Sequence, residues 1–186
     1  FFWYAWRMPN SELLIVGSGG REHAIAWKAK QPENRIYTAP GNSGTEQVGE
    51  NIPIDASNAE GIERLLSFAK DHKIGLTIVG PELPLSLGIV DAFTKEGLRI
   101  FGPTQDAARL ETSKAFAASF MRRHKIPHPE SFVFESPEEA RTFAEHPKWS
   151  RFVIKASGLA AGKGVFLPDT LEEAYDALMG FAVALV

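Results

Sequence analysis

Between Lys155 and Val165 the chain reads Lys155-Ala156-Ser157-Gly158-Leu159-Ala160-Ala161-Gly162-Lys163-Gly164-Val165. Three glycines let a backbone turn its N–H groups toward an anion, and lysines add positive charge beside it. The chemistry this suits is the holding of a polyphosphate. The stretch is not a Walker A loop, which needs four residues between its first glycine and the Gly-Lys pair, then Ser or Thr. Here only Leu159, Ala160 and Ala161 intervene, and Gly164 follows the lysine. No hydroxyl therefore stands ready for a magnesium ion at that position. The competing reading is a glycine-rich β-hairpin with solvated lysines. With three glycines and no bulky side chain, the loop is expected to be mobile when empty.

Such a loop needs a scaffold, and the chain upstream alternates strand and helix. Leu13-Leu14-Ile15-Val16 is a short continuous apolar run, as a buried parallel strand requires. Ile36 to Ala39, Asn51 to Ile54, Leu76 to Val79 and Arg99 to Phe101 read as further extended segments. Helices are predicted from about Arg21 to Gln31, from a cap at Ser57 or Asn58 to about His72, and from about Leu85 to Glu96. Ala24, Ile25 and Trp27 form the predicted apolar stripe of the first, with Lys28 at its wet edge. Ile62, Leu65, Leu66 and Ala69 form that of the second. Alternation with apolar strands predicts an α/β fold with a doubly wound parallel sheet, in which the strands at Leu13, Ile36 and Leu76 are neighbours.

In such sheets ligands sit beyond the carboxyl ends of the strands. Three glycine-rich loops fall there: Gly17-Ser18-Gly19-Gly20, Pro40 to Gly44, and Gly80-Pro81-Glu82. Each alone is readable as a tight turn; three on one edge predict a binding rim. The first is not a dinucleotide fingerprint, because Glu22 stands where Gly or Ala is needed. Thr38-Ala39-Pro40 also offers no carboxylate to an adenosine ribose. What remains is a helix N-terminus beside Arg21, suited to a single phosphate.

After Phe101 the organisation changes. Gly102-Pro103-Thr104 reads as a linker, and helices follow from about Gln105 to Leu110 and from Ser113 to His124. Ser131 to Phe134, a helix from Pro137 to Ala144, Phe152 to Lys155, Val165 to Phe166 and a helix from Leu171 make a second, α+β unit. The predicted division is residues 13–108 and 109–186. Residues 1–12, five aromatics among the first six, are read as a foreign or disordered segment, with Met8 a candidate start. The apolar end from Gly180 to Val186 is read as a truncation or foreign tail.

The 186 residues carry a net charge of −3 and no cysteine. There is no basic footprint for nucleic acid. Disulfides and thiolate metal sites are excluded, and a reducing, cytoplasmic setting fits. No apolar run approaches the roughly 20 residues that span a bilayer, and the aromatic opening lacks the core of a secretory signal.

Six motifs, in order, resemble the N-terminal part of the phosphoribosylamine–glycine ligases, ATP-grasp enzymes of purine biosynthesis. They are Leu14 to Ala24, Ala39 to Thr45, Thr77 to Glu82, Phe101 to Thr104, Leu110 to Lys114, and Lys155 to Val165. The resemblance implies a pre-ATP-grasp α/β domain followed by an incomplete ATP-grasp domain. It implies a reaction joining glycine to 5-phosphoribosylamine, with ATP becoming ADP and phosphate through a glycyl phosphate. It assigns Lys114, Lys155, Gly158, Gly162, Lys163 and Gly164 to ATP. It assigns Gly17, Gly19, Gly20, Arg21, Glu22, Gly41, Asn42, Gly80, Pro81 and Glu82 to phosphoribosylamine. His23 is read as a core or surface histidine. Magnesium is implied, with its ligands expected in a part of the family pattern that this chain lacks. Asp169, Glu172, Glu173 and Asp176 are read as helix-start acids rather than replacements. The chain is therefore expected to be inactive alone, with fusion to other purine enzymes open. The alternatives are a non-catalytic nucleotide- or phosphosugar-binding module of this fold, and a different ATP-grasp enzyme such as a carboxylase half.

Overall fold

A computed structural model of the chain describes residues 12–145, 153–158 and 164–180. Two compact units divide at Ala108 and Arg109.

The first unit holds a parallel five-stranded sheet. Its strands are β1 (Glu12–Gly17), β2 (Arg35–Pro40), β3 (Glu50–Asn51), β4 (Leu76–Val79) and β5 (Ile100–Phe101), in the order β3-β2-β1-β4-β5. Every pairing is parallel; Leu14 stands beside Tyr37 on one side and Thr77 on the other. The strands at Leu13, Ile36 and Leu76 are neighbours, as their apolar runs predict. Glu12, placed by the sequence in the N-terminal segment, is the first residue of β1.

Alternation along β1 feeds two cores. Leu13, Ile15 and Ile36 pack with Ala26 of α1 (Gly20–Ala29) on one face. Leu14, Val16 and Tyr37 pack on the other with α3 (Ala59–Asp71) and with Val90 and Phe93 of α5 (Ile89–Lys95). Helices thus cover both faces, as a doubly wound sheet requires. Asn58 caps α3 by accepting from the Gly61 N–H at 2.8 Å. The α3 face is the one its periodicity predicts: Ile62, Leu65, Leu66 and Ala69 are buried.

Three expectations are corrected. The α1 stripe is rotated: Trp27 is 67% exposed and Glu22 and Ala26 are the buried residues. The helix also ends at Ala29, short of Gln31. The single helix expected from Leu85 to Glu96 is two, α4 (Glu82–Ser86) and α5, because Gly88 takes φ 84° between them. A four-residue helix, α2 (Ser43–Glu46), follows β2 and was not predicted.

The division between units falls within α6 (Gln105–Thr112). The second unit holds α7 (Lys114–Arg123), α8 (Pro137–Ala144), the strands β6 (Ile154–Lys155) and β7 (Val165–Phe166), and α9 (Leu171–Gly180). Ser113 and Ser136 cap α7 and α8 by accepting from the N–H groups of Phe116 and Glu139. Strands β6 and β7 form an antiparallel pair, with Lys155 opposite Val165. Ala140, Ile154, Ala174, Ala177 and Leu178 make its core, with Phe134 and Tyr175 against them. The stretch Ser131 to Phe134 forms no strand beyond a single bridge at Phe134.

Candidate functional site

The chain order of the sheet reverses between β1 and β4: β1 leads through α1 to β2 on one side, while β4 lies on the other. Ligand crevices of open α/β sheets form at such a switch. The loops that leave β1 and β4 are Gly17–Gly20 and Gly80–Glu82, and the loop that leaves β2 lies beside the first.

Hydrogen bonds stitch the three loops together. The Gly41 N–H donates to Gly17 O at 3.1 Å, and the Gly80 N–H to Val16 O at 3.0 Å. Asn42 Nδ2 donates to Ser18 O at 2.8 Å and to Gly19 O at 3.2 Å. Its Oδ1 meanwhile caps α2, accepting from the N–H groups of Gly44 and Thr45. One side chain thus reads two loops. The sequence names Asn42 but misses its supports: Thr45, fully buried, and Asn51, whose Nδ2 donates to Asn42 O at 2.8 Å. The Asn42-x-x-Thr45 spacing is a helix-start signal that could have found the first.

Arg21 and Glu22 sit at the start of α1. The Glu22 carboxylate turns inward, with the residue only 2% exposed. It accepts from the Gly19 N–H at 2.6 Å through Oε2 and from Arg21 Nε at 3.0 Å through Oε1. Arg21 stays at the surface, its side chain 56% exposed, and Nη1 stands 3.5 Å from Glu82 Oε1. The hydrogen bond to Glu22 is the first cause that raises the Arg21 pKa, so the guanidinium is a fixed cation. Pro81 precedes α4 and Glu82 opens it. The rim thus sets a cation, an exposed carboxylate and an α-helix start side by side, groups whose chemistry suits a phosphate and hydroxyls.

The glycines at the rim have distinct reasons. Gly17 takes φ 130°, and a Cβ there would meet Glu22 Cγ at 2.6 Å. A Cβ on Gly19 would meet Glu22 Oε2 at 2.9 Å, and one on Gly80 would strike the same carboxylate. Gly41 takes φ 77°. Gly20 has nothing within 4 Å of a Cβ, so it leaves open space at the rim.

In the second unit, Lys114 and Lys155 line one cavity of about 480 Å³, walled by Phe132, Phe134 and Phe143. Lys114 Nζ donates to Gly158 O at 3.0 Å, and the Ala115 N–H to Ser157 Oγ at 3.2 Å. The Ala156 N–H donates to Gly164 O at 2.8 Å and closes the base of the hairpin. Gly162 and Lys163, assigned by the sequence to ATP, lie outside the described residues. Two lysines beside an apolar-walled cavity fit a nucleotide polyphosphate. Among the described residues no group of three or more His, Asp or Glu is placed to hold a metal ion. Among them, too, no helix is long and apolar enough to cross a membrane.

Residues 11–111 match the family model for the phosphoribosylglycinamide synthetase N domain, and residues 112–184 match that for its ATP-grasp (A) domain. The chain belongs to the phosphoribosylglycinamide synthetase family. The family's phosphoribosylamine–glycine ligase of Haemophilus influenzae is 52% identical over 89% of this chain, and that of Yersinia pestis 54% over the same share. The chain spans about 39% of the length of these relatives. The crystal structure of the Thermotoga maritima ligase superposes with a TM-score of 0.72 at 32% identity, covering 94% of this chain and 42% of that one. The ADP complex of N5-carboxyaminoimidazole synthetase from Staphylococcus aureus superposes with a TM-score of 0.72 at 14% identity, covering 97% and 48%. That likeness shows the synthetase family's fold alone. The fold is the α/β domain with part of the ATP-grasp domain, as the motifs imply.

Proposed function

We propose that this chain carries the phosphosugar rim and part of the nucleotide site of a ligase that joins glycine to 5-phosphoribosylamine. The products are glycinamide ribonucleotide, ADP and phosphate, and the route is a glycyl phosphate. The observation that supports this most is the match of residues 11–111 and 112–184 to the two family models in succession. In this reading the substrate rim belongs to the unit that ends at residue 108, and the nucleotide to the unit that begins at 109.

At the rim, Arg21 and the start of α1 at Gly20 meet the phosphate, while the Gly19 N–H stays on Glu22, and Glu82 accepts from sugar hydroxyls. Gly41, Asn42, Gly80 and Pro81 shape the wall. In the second domain Lys114, Lys155 and the glycines Gly158, Gly162 and Gly164, with Lys163, neutralise the polyphosphate of ATP. Magnesium would supply further neutralisation of the transferred phosphoryl group, through ligands outside this chain. The chain's own residues contribute positioning and charge, which are the main requirements of such a transfer. A cysteine-free enzyme on small metabolites suits the cytoplasm.

The test is a chimera. Residues 12–180 of this chain replace the matching stretch of the Haemophilus influenzae ligase, and ADP release is measured with ATP, magnesium, glycine and phosphoribosylamine. Release that needs both co-substrates is expected. A folded chimera that binds nucleotide and sugar phosphate without turnover would favour a non-catalytic binding module.

A further inference from the structure

A buried carboxylate is costly unless it is paired and hydrogen-bonded. Glu22 meets that condition through two donors of the β1–α1 turn. Its Oε2 holds the Gly19 N–H at 2.6 Å, a short charge-assisted bond, and its Oε1 holds Arg21 Nε at 3.0 Å. Its side chain also fills the space where Gly17, Gly19 and Gly80 have no Cβ. The loops after β1 and β4 therefore close on one carboxylate. Arg21 extends the link outward, since Nη1 lies 3.5 Å from Glu82 across the same crevice.

Arg21 is a long, exposed side chain, and an unrestrained one would lose much rotamer freedom on gripping a ligand. Held at Nε by Glu22, the guanidinium has lost that freedom before a ligand arrives. We infer that Glu22 is a positioning residue, which orients the Arg21 guanidinium between the β1 and β4 loops so that its outer edge receives the phosphate of a sugar phosphate. The ligand class rests on the function proposed above; the positioning itself does not. Glu22 touches no ligand in this role and acts through Arg21 and the Gly19 backbone.

Arg side-chain Nε–H groups of the 15N-labelled 186-residue chain report this directly. The Arg21 signal, identified by its loss in Arg21→Lys, is expected to show a heteronuclear NOE like that of the α1 backbone. Exposed Arg64 on α3 provides the mobile reference. Glu22→Gln keeps the shape and an acceptor for the Gly19 N–H but can turn an amide N–H₂ against Arg21. It is expected to drop the Arg21 NOE toward the Arg64 value. Ribose 5-phosphate affinity, titrated on the same samples, is expected to fall about tenfold in Glu22→Gln and in Arg21→Lys. Glu22→Asp, which keeps the charge but shortens the reach, is expected to behave like Glu22→Gln and serves if that variant does not fold. An Arg21 signal as mobile as Arg64 in the wild-type chain overturns the inference. So does an Arg21 NOE unmoved by either substitution, or ribose 5-phosphate binding that needs Arg21 but not Glu22. Ordering of Arg21 by Glu22 without any ribose 5-phosphate binding upholds the positioning and instead removes the phosphosugar assignment.

Discussion

Lys114 Nζ donates to the carbonyl oxygen of Gly158 at 3.0 Å, across 44 residues of sequence. The ammonium at the start of α7 is thereby fixed at the entrance of the glycine-rich loop. Lys155 reaches the same cavity from β6. The two lysines were named from separate motifs, and the fold of the second unit brings them to one wall.

Lys114→Ala removes one of these charges while leaving a good helix former in place. In the chimeric ligase, ATP affinity is expected to fall about tenfold or more, the scale of one hydrogen bond to a charged group. The melting temperature should move little, because the side chain is only half-buried. Equal ATP affinity in variant and parent would remove Lys114 from the nucleotide site.

Gly80 and Gly20 make a matched pair. Gly80→Ala drives a Cβ into the Glu22 carboxylate, whereas Gly20→Ala meets nothing within 4 Å. Urea unfolding of the first unit should show Gly80→Ala destabilised by about 1–3 kcal/mol, as overpacking is. Gly20→Ala should be neutral or slightly stabilising, since alanine is the better helix former. Adding Glu22→Ala to Gly80→Ala should recover part of the loss. A Gly80→Ala chain as stable as its parent would mean that the carboxylate is not packed against the β4 loop.

Leu65 and Trp27 contrast burial with size. Leu65 is fully buried between α3 and the sheet; Trp27 is 67% exposed. Leu65→Ala should cost about 2–5 kcal/mol. Trp27→Ala should stay within about 0.5 kcal/mol. Chemical unfolding of both variants checks this, and a costly Trp27→Ala would place the indole in a core.

The Tyr37 phenol should make the first unit sensitive to alkali. Burial first, then the nearby Glu12 charge, raises its pKa above the ordinary value of 10.0. In the unfolded chain the phenol ionises near that value; in the folded chain it keeps its proton to higher pH. The stability it contributes is complete below about pH 10 and is lost as pH climbs through the folded value. Urea midpoints from pH 8 to 11.5 should fall at the alkaline end, and Tyr37→Phe should flatten the fall. Parallel curves for the two chains would show that Tyr37 does not titrate differently on folding.

Much of the first unit is legible without coordinates. The apolar runs at Leu13 and Leu76, the Asn58 cap and the Ile62-Leu65-Leu66-Ala69 stripe are local patterns, set by neighbours within a turn or a strand. They name the strands, one major helix and the edge on which the glycine loops fall. The six motifs likewise carry the family, because their residue types and order need no geometry to be recognised.

Other features depend on segments that the sequence separates. Trp27 belongs to an apolar stripe on α1 by type, yet the face turned to the sheet is that of Ala26, with Ile25 and Ala29 packed beside it. Gly88 reads as one more residue of a helix until its left-handed backbone splits α4 from α5. Glu22 reads as a rim ligand; only its burial against Gly17 and Gly80, 5 and 58 residues away in numbering, shows a carboxylate enclosed by two loops. The sequence by itself determined the parallel strands, the glycine loops and the family, since these rest on local periodicity and residue type. The tertiary structure alone decided which polar side chains stay exposed at the rim and which hold it together. Burial and hydrogen bonding are sums over distant segments, and no local spacing contains them.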